Sequence, residues 1–157
     1  MCSSSRHRRW PVPSLLAALP LTALLLAALP VAAEDPRPID FEVTVVHVSS
    51  GKGGVQASER ARRVDSIIGP QIKYDSLRLL DFSRRKVPLN QIGSVTLPGG
   101  KRFRFRPMDL SDEGVLVAVD VERSAQGDFR IPRRKPFVFG GQRYQDGQLV
   151  IVLEPDY

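Results

Sequence analysis

The segment Lys101 to Arg106 (KRFRFR) alternates basic and aromatic residues. Successive side chains of an extended strand point to opposite faces, so the pattern predicts three arginines on one face and two phenylalanines on the other. Two further arginines, at positions 133 and 134, would extend this surface if their strand lies beside it. Guanidinium groups bind phosphates and carboxylates as planar, bidentate donors. The predicted ligand-binding residues are therefore Arg102, Arg104, Arg106, Arg133 and Arg134.

A glycine-rich turn lies between the first predicted strand and the predicted helix, and it consists of Gly51, Lys52, Gly53 and Gly54. Residues 44–55 (TVVHVSSGKGGV) resemble the deviant Walker A loop of the ATPases that include the septum-positioning and nitrogenase iron proteins. In those ATPases a lysine and a hydroxyl residue follow, whereas Gln56, Ala57 and Ser58 follow here, and no parallel βαβ repeats come after them. We therefore expect no nucleotide hydrolysis. An anion- or phosphate-binding loop at a helix N-terminus is one alternative function, and a flexible turn is the structural interpretation.

His47 is the only histidine beyond position 7. A Ser-His-Asp relay would have to use it, with Ser49 or Ser50 nearby in sequence, so a small hydrolase centred on His47 is a second alternative function. In a strand its side chain shares a face with Val45, which favours a packed histidine. One imidazole and no cysteine beyond Cys2 make no metal-binding pattern, so we assign no metal ligand, no cofactor and no catalytic residue.

The first 33 residues follow the order of a secretory signal peptide. A basic segment with Arg6, Arg8 and Arg9 precedes an apolar run from Ser14 to Val31, and small residues end at Ala33. We predict cleavage after that alanine, export by the general secretory route, and a periplasmic or extracellular location. If the segment stays uncut, it would anchor the chain in a membrane instead.

Cleavage changes what the composition implies. All 17 acidic residues but only 20 of the 23 basic residues follow Ala33, so the mature chain has a net charge of +3 instead of +6. From this mild excess of positive charge we expect no nucleic-acid partner. The single cysteine, Cys2, leaves with the signal peptide, and the exported compartment lacks ATP.

The mature chain is predicted to begin with a flexible tether and to continue as one exported domain. Residues 34–40 contain two prolines and no apolar periodicity, which is typical of a tether. Residues 41–157 form the predicted domain, with a β-branched strand at 41–48 and the only helix at 56–68. The apolar stripe of this helix consists of Ala57, Ala61, Val64 and Ile68.

Short apolar segments separated by turn residues follow the helix, and they predict about seven strands, at 74–83, 94–97, 101–106, 115–122, 129–131, 136–139 and 148–153. The intervening loops are mostly too short for crossover connections. We therefore predict an α+β fold with a mainly antiparallel sheet and one covering helix. A small barrel or a sandwich would also satisfy this pattern.

The segment Phe137 to Leu153 (FVFGGQRYQDGQLVIVL) contains a Gly-Gly-x-x-Tyr-x-x-Gly motif before the last strand. Together with the Val-Ser-Ser-Gly loop at 48–51 and the segment 74–80, it resembles a family of small exported bacterial proteins that have one helix and several hairpins. The resemblance covers most of residues 41–153 and implies export and an α+β fold. That family has no assigned activity, so it implies no catalytic residue.

These observations favour a non-catalytic binding or scaffolding domain of the cell envelope, which uses a sheet face or an edge strand. Its expected partner is an anionic envelope polymer, such as lipopolysaccharide, or an acidic protein surface. The alternative role of the arginines is a solvated face that prevents strand pairing with other molecules.

Overall fold

The computed structural model describes residues 38–157. The predicted signal peptide, its cleavage site after Ala33 and positions 34–37 of the predicted tether lie outside the described residues. The elements in chain order are β1 (Ile39–Ser49), β2 (Gly54–Val55), α1 (Glu59–Ile68), β3 (Ser76–Val87), β4 (Gly93–Thr96), β5 (Arg102–Ser111), β6 (Gly114–Val121), β7 (Ala125–Ile131), β8 (Phe137–Tyr144) and β9 (Gly147–Asp156).

The strands form two separate sheets, which excludes the closed barrel for the described residues. The five-stranded sheet has the order β2-β3-β1-β9-β8, and the four-stranded sheet has the order β4-β5-β6-β7. All neighbouring strands are antiparallel except the short pair β2 and β3. The mainly antiparallel α+β prediction is thus confirmed. Seven strands follow the helix, as expected, and two precede it, so the described part has nine in all.

Apolar residues from both sheets form one core between them. Phe41 of the five-stranded sheet contacts Phe105 of the four-stranded sheet, with ring centroids 4.9 Å apart. The opposite face of the five-stranded sheet packs against α1 through a second cluster. That cluster includes Val46, Val48, Ala61, Val64, Ile68, Val150 and Val152. The described residues therefore form three layers, with the helix outermost on one side.

The helix begins three residues later than its apolar pattern predicts. Ser58 caps the N-terminus, because its Oγ accepts a hydrogen bond from the backbone N–H of Ala61 at 3.2 Å. Gln56 instead extends along the edge of β3 through backbone and side-chain hydrogen bonds. Ala57 is exposed and does not belong to the apolar stripe. The predicted helix start was wrong because a pattern of apolar spacing does not locate a cap.

The end of the predicted tether is part of the folded core. Ile39 is fully buried and lies opposite Val87 of β3. Asp40 continues the same strand pairing. The assignment of these two residues to a flexible segment was wrong, because the isoleucine side chain fills the interior between the sheets.

Candidate functional site

The predicted arginine row lies on the outer face of the four-stranded sheet. Arg102, Arg104 and Arg106 are exposed, and Phe103 and Phe105 between them are buried. The alternation expected from the sequence is therefore confirmed. The rings fill the core, so the sheet holds the three guanidinium groups on a rigid surface.

Acidic neighbours neutralise this row only in part. Arg104 lies opposite Asp120 of β6, and Nη1 of the arginine is 4.0 Å from Oδ2 of the aspartate. Within residues 38–157, no carboxylate lies within 4.0 Å of the guanidinium of Arg102 or Arg106. Among the described residues, the Arg106 guanidinium donates only to the sulfur of Met108, at 3.8 Å. Two of the three guanidinium groups are thus available to an external anion.

A shallow groove of about 470 Å³ crosses this face. Its lining residues include Ile92, Arg104, Arg106, Asp120, Gln126 and Asp128. The groove therefore combines cationic donors with carboxylate and amide oxygens, which accept hydrogen bonds from hydroxyl groups. The acidic and amide residues lie beside the arginines because of the strand register, which local sequence patterns do not reveal.

Arg133 and Arg134 do not extend the row. They lie in the turn after β7 and bind Asp156 near the end of β9. The two Nε atoms donate to the two carboxylate oxygens at 2.9 Å and 3.1 Å. The hydrogen bond from Arg133, together with that from Arg134, lowers the pKa of this carboxyl. The prediction that Arg133 and Arg134 extend the arginine surface of β5 was therefore wrong, because both side chains join the ends of the two sheets.

Arg130 is the basic residue that β7 places on the same face as the row. However, its guanidinium donates to the Ser111 hydroxyl, to the Gly114 carbonyl and to the Asp109 carboxylate, at 2.6 Å, 3.0 Å and 3.1 Å. These contacts fix the turn between β5 and β6. Arg130 therefore stabilises this turn and is not part of the candidate site.

The glycine-rich turn at 51–54 does not lead directly into the helix. Gly54 and Val55 form β2, which pairs with Ser76 and Leu77 of β3, and an extended segment follows before α1. The placement of these glycines at a helix N-terminus was therefore wrong, and Ser58 caps that terminus instead. A Cβ atom at Gly53 would lie 2.7 Å from the Ser76 hydroxyl, so close packing against β3 explains this glycine.

His47 is buried at the end of the five-stranded sheet. Its Nε2 atom lies 3.2 Å from the Tyr144 carbonyl oxygen and 3.4 Å from Oδ1 of Asp146. No serine hydroxyl among residues 38–157 forms a hydrogen bond with the ring. The structure therefore brings together the imidazole and the carboxylate of a hydrolytic relay, but Ser49 and Ser50 do not complete it.

Two features are absent from residues 38–157. No group of three or more histidine, cysteine or acidic side chains could hold a metal ion there. No helix in that range is long and apolar enough to cross a membrane.

Of the predicted ligand-binding residues, the structure thus brings Arg102, Arg104 and Arg106 together on one exposed face. Comparisons of the chain with protein-family models, with curated proteins and with solved structures found no match.

Proposed function

We propose that this protein is a non-catalytic binding domain of the cell envelope, and that it holds an anionic polymer on the outer face of the four-stranded sheet. The observation that carries the proposal is the exposed row of Arg102, Arg104 and Arg106 on β5. Alternate residues of a strand are roughly 7 Å apart, so a polymer with regularly spaced charges can contact all three. Guanidinium groups suit both phosphate and carboxylate.

The groove beside the row supports a polymer that carries hydroxyl groups as well as charges. Gln126 and Asp128 line the groove together with two of the arginines. Their oxygens can accept hydrogen bonds from sugar hydroxyls, while the arginines bind the anionic groups. The combination favours an anionic polysaccharide or lipopolysaccharide over a uniformly acidic protein surface.

The proposal includes export, which rests on the signal-peptide pattern of residues 1–33. The mass of the protein recovered from the envelope tests it. A chain that starts at Glu34 supports cleavage and export by the general secretory route. An intact precursor retained in the cell contradicts both.

The binding surface is tested by capture on immobilised lipopolysaccharide, with uncharged dextran as the blank. Serine at positions 102, 104 and 106 should abolish capture and leave the melting temperature within a few degrees, because these side chains are exposed. The matched control replaces the exposed arginines Arg62, Arg78 and Arg143 with serine, and it changes the net charge equally. Capture that survives the first triple variant, or that both triple variants lose equally, contradicts the assigned surface.

A protein partner gives a different result. If the β5 row binds an acidic protein, the native domain does not bind lipopolysaccharide, and cross-linking in the native envelope attaches a polypeptide. That outcome would keep the arginine surface and reject the polymer.

A further inference from the structure

A mainly apolar cavity of about 240 Å³ opens between the free edges of the two sheets. Strand β7 ends the four-stranded sheet, and β8 ends the five-stranded sheet. Phe129 of β7 and Phe137 and Phe139 of β8 line the cavity and are partly buried. The ring of Phe129 lies 4.6 Å from that of Phe137 and 5.4 Å from that of Phe139, centroid to centroid. The cavity therefore has an aromatic wall.

Gln142 lines this cavity and carries an unpartnered polar atom. The residue is only 9% exposed, and its Oε1 atom is buried without a hydrogen-bond partner among residues 38–157. A buried amide oxygen without a partner is unfavourable, because folding removes its hydration and supplies nothing in return. A ligand in the cavity that donates a hydrogen bond to this side chain would remove that cost.

A β-bulge directs this side chain into the cavity. Phe139 lies opposite Ile151, and both contribute to the interior between the sheets. Regular alternation would then turn Gln142 toward the helix layer. The register shifts by one residue at Gly141, which has a φ of 103°, so Gln142 lies opposite Leu149 and faces the same interior. Bulges commonly redirect side chains in this way beside binding sites.

From this geometry we propose that the cavity binds a small, mainly apolar molecule that carries one hydroxyl or N–H group. The phenylalanine rings contact its apolar body, and Oε1 of Gln142 accepts its hydrogen bond. The site uses none of the arginines of the outer sheet face, so it is independent of polymer binding.

A matched pair of compounds tests the proposal. Calorimetry on the full-length protein compares 4-propylphenol with propylbenzene, which has the same apolar body and no hydroxyl. We expect the phenol to bind about tenfold more tightly, because it alone can donate to Gln142. Equal affinity of the two compounds, or no saturable binding of either, overturns the proposal.

Two variants place the effect at the cavity. Gln142→Met keeps a similar volume and should remove the preference for the phenol, whereas the exposed control Gln148→Met should retain it. Phe129→Leu should lower the affinity for both compounds to a similar degree. This variant keeps the site testable if Gln142→Met does not fold. The proposed site is contradicted if Gln142→Met still prefers the phenol, or if Phe129→Leu binds both compounds as tightly as the native protein does.

Discussion

Arg104 and Asp120 face each other across β5 and β6, with 4.0 Å between Nη1 and Oδ2. Each side chain is about half exposed, at 45% and 48%. Solvent therefore screens the pair, and the aspartate competes with any anion that approaches the arginine. We expect Asp120→Asn to raise the affinity for lipopolysaccharide up to about fivefold, because exposed ion pairs contribute at most about 1 kcal/mol. Binding isotherms at constant ionic strength measure this change.

The control for this variant is Asp112→Asn, which removes one negative charge from the exposed turn between β5 and β6. It should leave the affinity nearly unchanged. Weaker binding by Asp120→Asn would mean that the carboxylate itself contacts the ligand and does not compete with it.

Tyr74 makes the stability of the fold sensitive to alkaline pH. Its hydroxyl donates to Oδ1 of Asp65 in α1 at 2.6 Å. Partial burial, followed by this hydrogen bond and the charge of Asp65, raises the pKa of Tyr74 well above 10. The unfolded chain therefore loses this proton at lower pH than the folded chain does. The resulting stabilisation is complete below about pH 10 and is lost as the pH rises toward the folded-state pKa.

Tyr74→Phe should accordingly be less stable than the native protein at neutral pH and should lose stability less steeply above pH 10. Urea unfolding at several pH values measures both effects. Parallel loss of stability in the two proteins above pH 10 would contradict the role of this hydroxyl.

Gly147 is the first residue of β9 and lies opposite Ser49 at the end of β1. A Cβ atom there would lie 2.1 Å from the Val48 carbonyl oxygen and 2.8 Å from Nε2 of His47. We expect Gly147→Ala to lower the free energy of unfolding by about 3 kcal/mol, because backbone must move to relieve the overlap. Gly51→Ala is the control, because its nearest neighbour would be 3.6 Å away, and it should change stability by less than about 0.5 kcal/mol. Similar stabilities of the two variants would refute the packing explanation.

The charged Asp156 carboxylate should stabilise the fold, and this contribution should be lost in acid. Hydrogen bonds from Arg133 and Arg134 lower its pKa, so the unfolded chain takes up this proton at higher pH than the folded chain. The contribution is present above the ordinary aspartate pKa of about 3.9 and is lost as the pH falls through the folded-state value. Asp156→Asn should therefore reduce the dependence of the unfolding midpoint on pH below about 4. An unchanged acid profile would show that the two arginines do not stabilise the charged form.

Short-range patterns predicted much of the secondary structure. Alternation in β5 assigned Phe103 to the interior and Arg104 to solvent, and both assignments are confirmed. The helical spacing of Ala61, Val64 and Ile68 also identified the buried stripe of α1. These predictions succeeded because side-chain direction in a strand or helix repeats within a few residues, so a local window contains the necessary information.

Short-range sequence patterns could not predict contacts between residues that are far apart in the chain. Arg133 is the same residue type as the arginines of β5. However, its carboxylate partner, Asp156, lies 23 residues away and in the other sheet. Gln142 faces the interior only because the pairing of β8 with β9 shifts at Gly141. Nothing in the immediate sequence specifies either partner.

The amino-acid sequence alone thus established the antiparallel α+β class, the buried stripe of the helix and the arginine row. The three-dimensional structure added the division into two sheets, the pairing of Arg104 with Asp120 and the cavity beside Gln142. The physical reason is that local periodicity selects the face on which a side chain lies. Strand register and sheet packing, which depend on residues far apart in the chain, select its neighbours.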